Sequence, residues 1–250
     1  MLNPNMNKIT LSNIDLALVS HEKIVSMVEK AIENKIKLNL LYCDFRILNY
    51  LKKNDLKIFS SKHTVAYPDS SGVYFTLRIL FNNKVKEFKK LIGTNIISDL
   101  LNICNRGGIK IFLYGDTSFV LNKMRNKIQY DHPEIQIVGI RDGFSLFENH
   151  VVEEINNSGA DLLLIGLGVP KQEIWLNRYA DMLNTKINIT VGAFFSFYGG
   201  KLKRAPALFQ KIHLEWIIRL VQNPLRLWKR YLFEFPYFFI TVLKEKFSKK

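Results

Sequence analysis

Short apolar runs alternate with stretches of helical periodicity along most of this chain, and that alternation limits its fold more than any other feature. Such an order gives βα units and a mostly parallel sheet flanked by helices. Helical spacing at Ile24, Val28 and Ile32 follows Ser20, a residue suited to cap a helix. A strand-like run from Leu38 to Leu41 leads to an amphipathic stretch through Ile47, Leu48 and Leu51. HTVAYP (63–68) reads as a strand ending in a Pro-Asp-Ser-Ser-Gly turn. IKIFLYG (109–115) is a clearer strand, with Asp116-Thr117-Ser118 as helix caps behind it. IQIVGI (135–140) and DLLLIGLG (161–168) read as buried strands, the second running through Pro170 into a helix. INITVGAFF (187–195) reads as the last core strand. The fold expected is therefore α/β, with a core over residues 1–197 and a helical appendage over 198–250. In the appendage, segments 206–222 and 225–246 are separated by Pro224.

Composition narrows the function. A hydrophobic fraction of 48% in 250 residues supports a buried core. The polar opening, MLNPNMNKIT, lacks the apolar segment of a signal peptide, and Cys43 and Cys104 form no CxxC pair, which fits the cytoplasm. Net charge is +14, and residues 201–250 carry twelve Lys/Arg against Glu215, Glu234 and Glu245, a net +9. Such a patch attracts polyanions: nucleic acid, anionic lipid or diphosphates. A solvated tail would be poor in apolar residues, yet YLFEFPYFFITVL (231–243) is aromatic-rich. At thirteen residues it falls short of the roughly 20 needed to span a bilayer, and it suits an interfacial helix on anionic lipid. A helix packed on the core or on a second copy of the chain is the competing reading.

Ligand sites of parallel α/β sheets gather at the carboxyl ends of strands. Three such ends are polar or glycine-rich here: 69–72, 115–117 and 166–173. Gly168 and Pro170 shape a strand-to-helix turn whose free N–H groups can receive a phosphate or sugar oxygen. Beside them, Gln172 offers a donor and an acceptor for sugar hydroxyls, and Glu173 joins the same turn. The Gly115-Asp116 loop lacks the GxGxxG of dinucleotide sites and stands as a candidate ligand contact at another of these strand ends. The five histidines are scattered, no zinc spacing occurs and no DxD is present, so neither a metal nor another cofactor is expected. Arg204, Arg219, Arg226 and Arg230 are the candidates for a diphosphate's charge, since guanidinium binds phosphate oxygens bidentately.

The ordered set GLGVPKQEIW (166–175), VGAFFSFYGGKLKRAP (191–206) and EWIIRLVQNPLRLWKRYL (215–232) resembles the signature of the WecG/TagA/CpsF glycosyltransferase family. With Pro68-Asp69 included, the resemblance covers roughly residues 40–240. It implies an inverting, metal-independent enzyme with a Rossmann-like fold and a C-terminal appendage that docks on the cytoplasmic face of the plasma membrane. The implied donor is a UDP-sugar and the implied acceptor a polyprenyl-diphosphate-linked sugar. Asp69 falls on the family's Pro-Asp motif and is the expected general base, because an inverting transfer needs a carboxylate to take the acceptor's proton. The alternative is that Asp69 caps the helix that follows it.

Two departures bear on the donor. The family's usual glycine after that aspartate is Ser70 here, and its Thr-x-Asn reads Tyr42-Cys43-Asp44. Tyr42, Asp44 and Ser70 are thus expected near the donor sugar, with N-acetylmannosamine the family default. Helix capping is an equal reading for Asp44. A catalytically degenerate member serving as a membrane-associated binding protein is the alternative function. Nucleic-acid binding would explain neither the Gly-Pro-Gln-Glu turn nor the Pro-Asp loop.

Overall fold

The computed structural model describes residues 6–54, 63–86, 88–89, 91, 93–144, 148–202, 205–206, 209 and 214–248. Its eight strands form one sheet in the order β1-β2-β4-β3-β8-β7-β5-β6. These are β1 (Lys8–Leu11), β2 (Ile14–Ala17), β3 (Leu38–Cys43), β4 (Thr64–Pro68), β5 (Lys110–Gly115), β6 (Gln136–Arg141), β7 (Leu162–Gly166) and β8 (Ile187–Thr190). Among the described residues only the β1–β2 pair is antiparallel, so the α/β, mostly parallel expectation is met.

Helices α1 (His21–Glu33), α2 (Phe45–Lys53), α3 (Ser71–Phe81), α4 (Gly93–Arg106), α5 (Ser118–Asp131), α6 (Glu148–Asn157), α7 (Lys171–Tyr179) and α8 (Phe194–Tyr198) follow the strands in alternation. Local chemistry sets their starts: the side chains of Ser20, Asp44, Ser70 and Thr117 each accept a backbone N–H at the N-terminus of α1, α2, α3 and α5. The sheet is buried on both faces. Ile111, Leu113, Leu162 and Leu164 enter one core, whereas Phe112, Tyr114, Leu163 and Ile165 enter a second beneath α6 and α7. That division follows from the two-residue period of a strand.

Two strand assignments need correction. Residues 187–195 are not one strand: β8 stops at Thr190, and Phe194 already begins α8. Gly192, at φ +52, turns the chain between them. Residues 135–140 are not fully buried, because β6 lies at the sheet's edge and pairs only with β5. Pro170 stands at the N-cap of α7 rather than inside its first turn.

Past α8 the chain forms α9 (Glu215–Gln222), α10 (Pro224–Lys229), a π-helical turn Arg230–Glu234 and α11 (Phe235–Ser248). Pro224 opens α10, a position that loses no hydrogen bond. Phe238 and Val242 on α11 are fully buried in the main core, and Lys52 on α2 pairs with Glu245 at 2.9 Å. The opposite stripe, including Tyr237, Ile240 and Phe247, is exposed. No described helix is long and apolar enough to cross a membrane.

A buried polar ladder pins the register of the central strands. Thr185 Oγ1 donates to Asn188 Oδ1 at 2.5 Å, Asn188 Nδ2 to Asn39 Oδ1 at 2.8 Å, and Asn39 Nδ2 to Thr64 Oγ1 at 3.3 Å. Asn39 is the register partner of both Asn188 and Thr64, so a slip of one residue breaks the ladder. Asn188→Leu would leave the Asn39 carbonyl buried without a donor. Chemical denaturation should show a loss of about 1–3 kcal/mol for it.

Candidate active site

A cavity of about 470 Å³ opens where the carboxyl ends of β3, β4 and β8 meet the C-terminal helices. Tyr42 is the last residue but one of β3, Asp69 and Ser70 follow β4, Thr190 ends β8, and Val191 and Ala193 come after it. Glu215, Trp216, Arg219, Arg230, Tyr231 and Phe235 close it from the far end of the chain. Most of the remaining wall is aromatic or aliphatic, including Phe45, Tyr67, Phe75, Phe194 and Phe197. An apolar bowl with a few charged groups is the usual form of a small-molecule site.

The turn carrying Asp69 is held by the backbone. The Asp69 N–H donates to the Cys43 carbonyl at 3.0 Å, and the residue bridges to Leu91 on its other side. The residue that caps α3 is Ser70, whose Oγ accepts from the Val73 N–H at 3.4 Å. Asp69 is therefore not the cap, and it lines the cavity instead. Ser70 has φ +94, a region natural to glycine and costly for a side chain. The expected family glycine thus has a backbone reason, and here serine takes the same kind of positive-φ position. Two residues on, a Cβ at Gly72 would lie 2.8–2.9 Å from the rings of Phe235 and Phe45, so a side chain there would push α11 away from α3.

Asp44 is a cap and an anchor together. Its Oδ1 accepts from the N–H groups of Arg46 and Ile47, and its Oδ2 receives Arg46 Nε at 2.9 Å and Arg230 at 3.1 Å. Burial alone would raise this carboxyl, but the guanidiniums of Arg46 and Arg230 and the cap hydrogen bonds outweigh it and hold the pKa below the usual carboxylate value. Asp44 lines the cavity with its oxygens engaged by protein donors, so its work is to place two arginines. Arg230 stacks over Phe45, with its guanidinium carbon 5.3 Å from the ring centroid. Its buried Nε finds no partner among the described residues. Arg219 lines the same cavity, bonded through Nε to Glu215 at 3.0 Å and set 4.8 Å above the Phe197 ring. The Arg204 expectation lies outside the described residues, as does the side chain of Arg226.

Other candidates stand outside the cavity wall. Gln172 and Glu173 are fully buried in the first turn of α7. Gly168 and Pro170 are partly exposed at the entrance to that helix. Gly115 ends β5 against Gly166, and Asp116 is occupied by Ser196 Oγ at 2.5 Å, the Thr117 N–H at 2.8 Å and Lys201 Nζ at 3.3 Å. Asp116 thus fastens α8, whose Phe194 and Phe197 do line the cavity. No cluster able to hold a metal ion occurs among the described residues.

The sequence reading missed Arg46 and Glu215. Arg46 could have been found from Asp-x-Arg at a helix start, where the cap carboxylate and the guanidinium two residues on are neighbours. Glu215 and Arg219 stand four apart on α9, a spacing that brings opposite charges together.

Comparison with known proteins adds what geometry alone cannot. The chain matches the model of the Glycosyl transferase WecG/TagA/CpsF family over residues 9–250. It is similar to the N-acetylglucosaminyldiphosphoundecaprenol N-acetyl-beta-D-mannosaminyltransferase of Bacillus subtilis, 33% identical over 200 residues, which are 80% of this chain and 76% of that protein. The protein of the same name from Bacillus spizizenii is 30% identical over 179 residues, 72% and 68% of the two chains. That from Staphylococcus aureus (strain MW2) is 28% identical over 159 residues, 63% and 61%. A family match that begins within β1 and runs to the last residue, on a fold with its cavity at the sheet's carboxyl edge, means that this chain belongs to the WecG/TagA/CpsF family of glycosyltransferases.

Proposed function

We propose that the protein transfers a hexose or N-acetylhexosamine from a UDP-sugar to a polyprenyl-diphosphate-linked sugar, at the cytoplasmic face of the plasma membrane and with inversion. The observation that carries this reading is Arg230, which lines the cavity with a buried Nε lacking a partner among the described residues. A guanidinium in the wall of such a cavity fits the oxygens of a diphosphate, which it can bind bidentately. The relatives' names point to the acceptor, an N-acetylglucosaminyl diphosphoundecaprenol, and make N-acetylmannosamine the default sugar.

In the proposed reaction an acceptor hydroxyl attacks the anomeric carbon as the bond from that carbon to the UDP phosphate breaks. The hydroxyl proton passes to Asp69, and the electron pair of the broken bond leaves with UDP. Arg219 and Arg230 meet the developing diphosphate charge in a wall that is largely apolar, where electrostatic stabilisation is strong. Tyr42, Ser70 and the 190–193 turn face the sugar. The absence of DxD from the sequence and the arginines of the wall support transfer without a metal ion.

The membrane part of the reading rests on the outer stripe of the C-terminal helices. Leu225, Trp228, Leu232, Phe233, Tyr237 and Ile240 are exposed there, beside Lys229 and Lys244. Apolar residues with lysines among them suit the boundary of an anionic bilayer. Since α11 also buries Phe238 and Val242 in the core, we read 198–250 as an appendage fused to the core's surface.

Asp69→Asn should lower turnover about 10²–10⁴-fold while UDP binding by calorimetry stays near that of the parent. Turnover within twofold of the parent would remove Asp69 as base. The combined substitution Leu232→Ser, Phe233→Ser and Tyr237→Ser should abolish co-sedimentation with vesicles containing phosphatidylglycerol and leave the melting temperature nearly unchanged, because all three side chains are exposed. Retained sedimentation, or a shift in self-association instead, would assign the stripe to another partner.

A further inference from the structure

Beneath the β8 side of the cavity lies a chain of buried polar contacts that the proposed reaction does not use. Gln172 and Glu173 are both fully buried, and neither lines the cavity. Gln172 Nε2 donates to Glu173 Oε1 at 2.6 Å, and Gln172 Oε1 accepts the Gly192 N–H at 3.1 Å. Both ends of the Gln172 amide are thus committed, and the amide can face only one way. Gly192 is the turn at φ +52 between Val191 and Ala193, two residues of the wall. On its other side Gly192 packs against the Tyr42 phenol so closely that a Cβ would overlap the hydroxyl.

We propose that Glu173 is a positioning residue, which acts through Gln172 to set the Gly192 turn and, with it, the Tyr42 side of the cavity. This rests on the cavity being the nucleotide-sugar site.

Glu173 does this as the neutral acid. Burial pushes its pKa up, the Gln172 hydrogen bond and Asp44 act in opposite directions on it, and the result is about 8. Its Oε2 is buried with no partner among the described residues, a poor place for a charge. The groups that face it are Asp44 and Arg46 at the start of α2, together with Tyr42 and Cys43 of β3. Burial raises the last two, so they stay neutral. An ionised Glu173 is repelled by Asp44 and competes with it for Arg46, loosening the contacts that fix the cavity from below. The folded pKa lies above the unfolded value, so ionisation opposes folding as pH rises from about 4.5 to about 8.

Glycine-selective ¹⁵N labelling offers a ligand-free test, since the chain has only 13 glycines. Gln172→Leu identifies the Gly192 amide by the loss of its hydrogen bond. In the parent that amide should shift with a midpoint near pH 8, and in Glu173→Gln, which keeps the neutral shape, it should not titrate. The ratio of the UDP dissociation constants at pH 9 and pH 7 should be about fivefold or more larger for the parent than for Glu173→Gln. A Gly192 amide that does not titrate, or titrates alike in both proteins, overturns the proposal, as do equal ratios. If the amide titrates only in the parent but UDP binds neither protein, the linkage from Glu173 to Gly192 stands and the nucleotide-site reading fails.

Discussion

One carboxylate joins the two ends of this molecule's site. Asp44 caps α2, which any aspartate in that place could do, but it also receives Arg230 from 186 residues further along the chain. The pair is nearly buried, with the Asp44 side chain 3% and that of Arg230 16% exposed. A buried ion pair is a weak source of net stability, yet losing one partner costs about 3–5 kcal/mol because the other is left charged and unpaired. Its effect is therefore geometric: it holds the C-terminal helices over the end of the sheet. The Phe45–Phe235 contact, with ring centroids 5.6 Å apart, and the absence of a side chain at Gly72 allow the close approach that the ion pair needs.

From that contact the rest of the cavity follows. Without the C-terminal helices, the ends of β3, β4 and β8 would form an open shelf with Asp69 on it. With them, Arg219, Arg230, Trp216 and Tyr231 form the opposite wall. Trp216 and Tyr231 also pack on each other at 5.2 Å between centroids, joining α9 to the π-helical turn. The helix that supplies the lid faces three ways. It reaches the core through Phe238 and Val242, the cavity through Phe235, and solvent through Tyr237, Ile240 and Phe247. A lipid-facing outer stripe would place an acceptor's head group close to the cavity without any helix entering the bilayer.

Local chemistry was the legible part. Ser20 and Thr117 cap helices because the first N–H groups of a helix have no acceptor within it, and strands β3, β4, β5 and β7 stand out as apolar runs between turns. The β1–β2 hairpin was not read because its turn is Ser12-Asn13, both at positive φ, with no glycine to announce it. Helix α4 left a readable trace in Ile96, Ile97, Leu100, Leu101 and Cys104, all buried at helical spacing. Within the site, Asp69, Tyr42, Arg219 and Arg230 come together as motif order implied. The pairing of Asp44 with Arg230 could not be read, since nothing local to either residue refers to the other. The aromatic tail was legible as amphiphilic, but which stripe faces inward depends on the Gly72 surface it packs against. Gln172 and Glu173 looked like ligand contacts because they follow a glycine turn; the register of α7 turns both inward.

Arg230, held by Asp44 at the cavity, is the group proposed to bind the diphosphate of a nucleotide sugar. The most direct measurement is calorimetric titration of UDP into the parent protein and into Arg230→Met, with circular dichroism to confirm that both are folded. The expected result is measurable binding by the parent and an affinity at least about tenfold lower for Arg230→Met, the loss of a charge-assisted hydrogen bond. Equal affinity in the two folded proteins would contradict it.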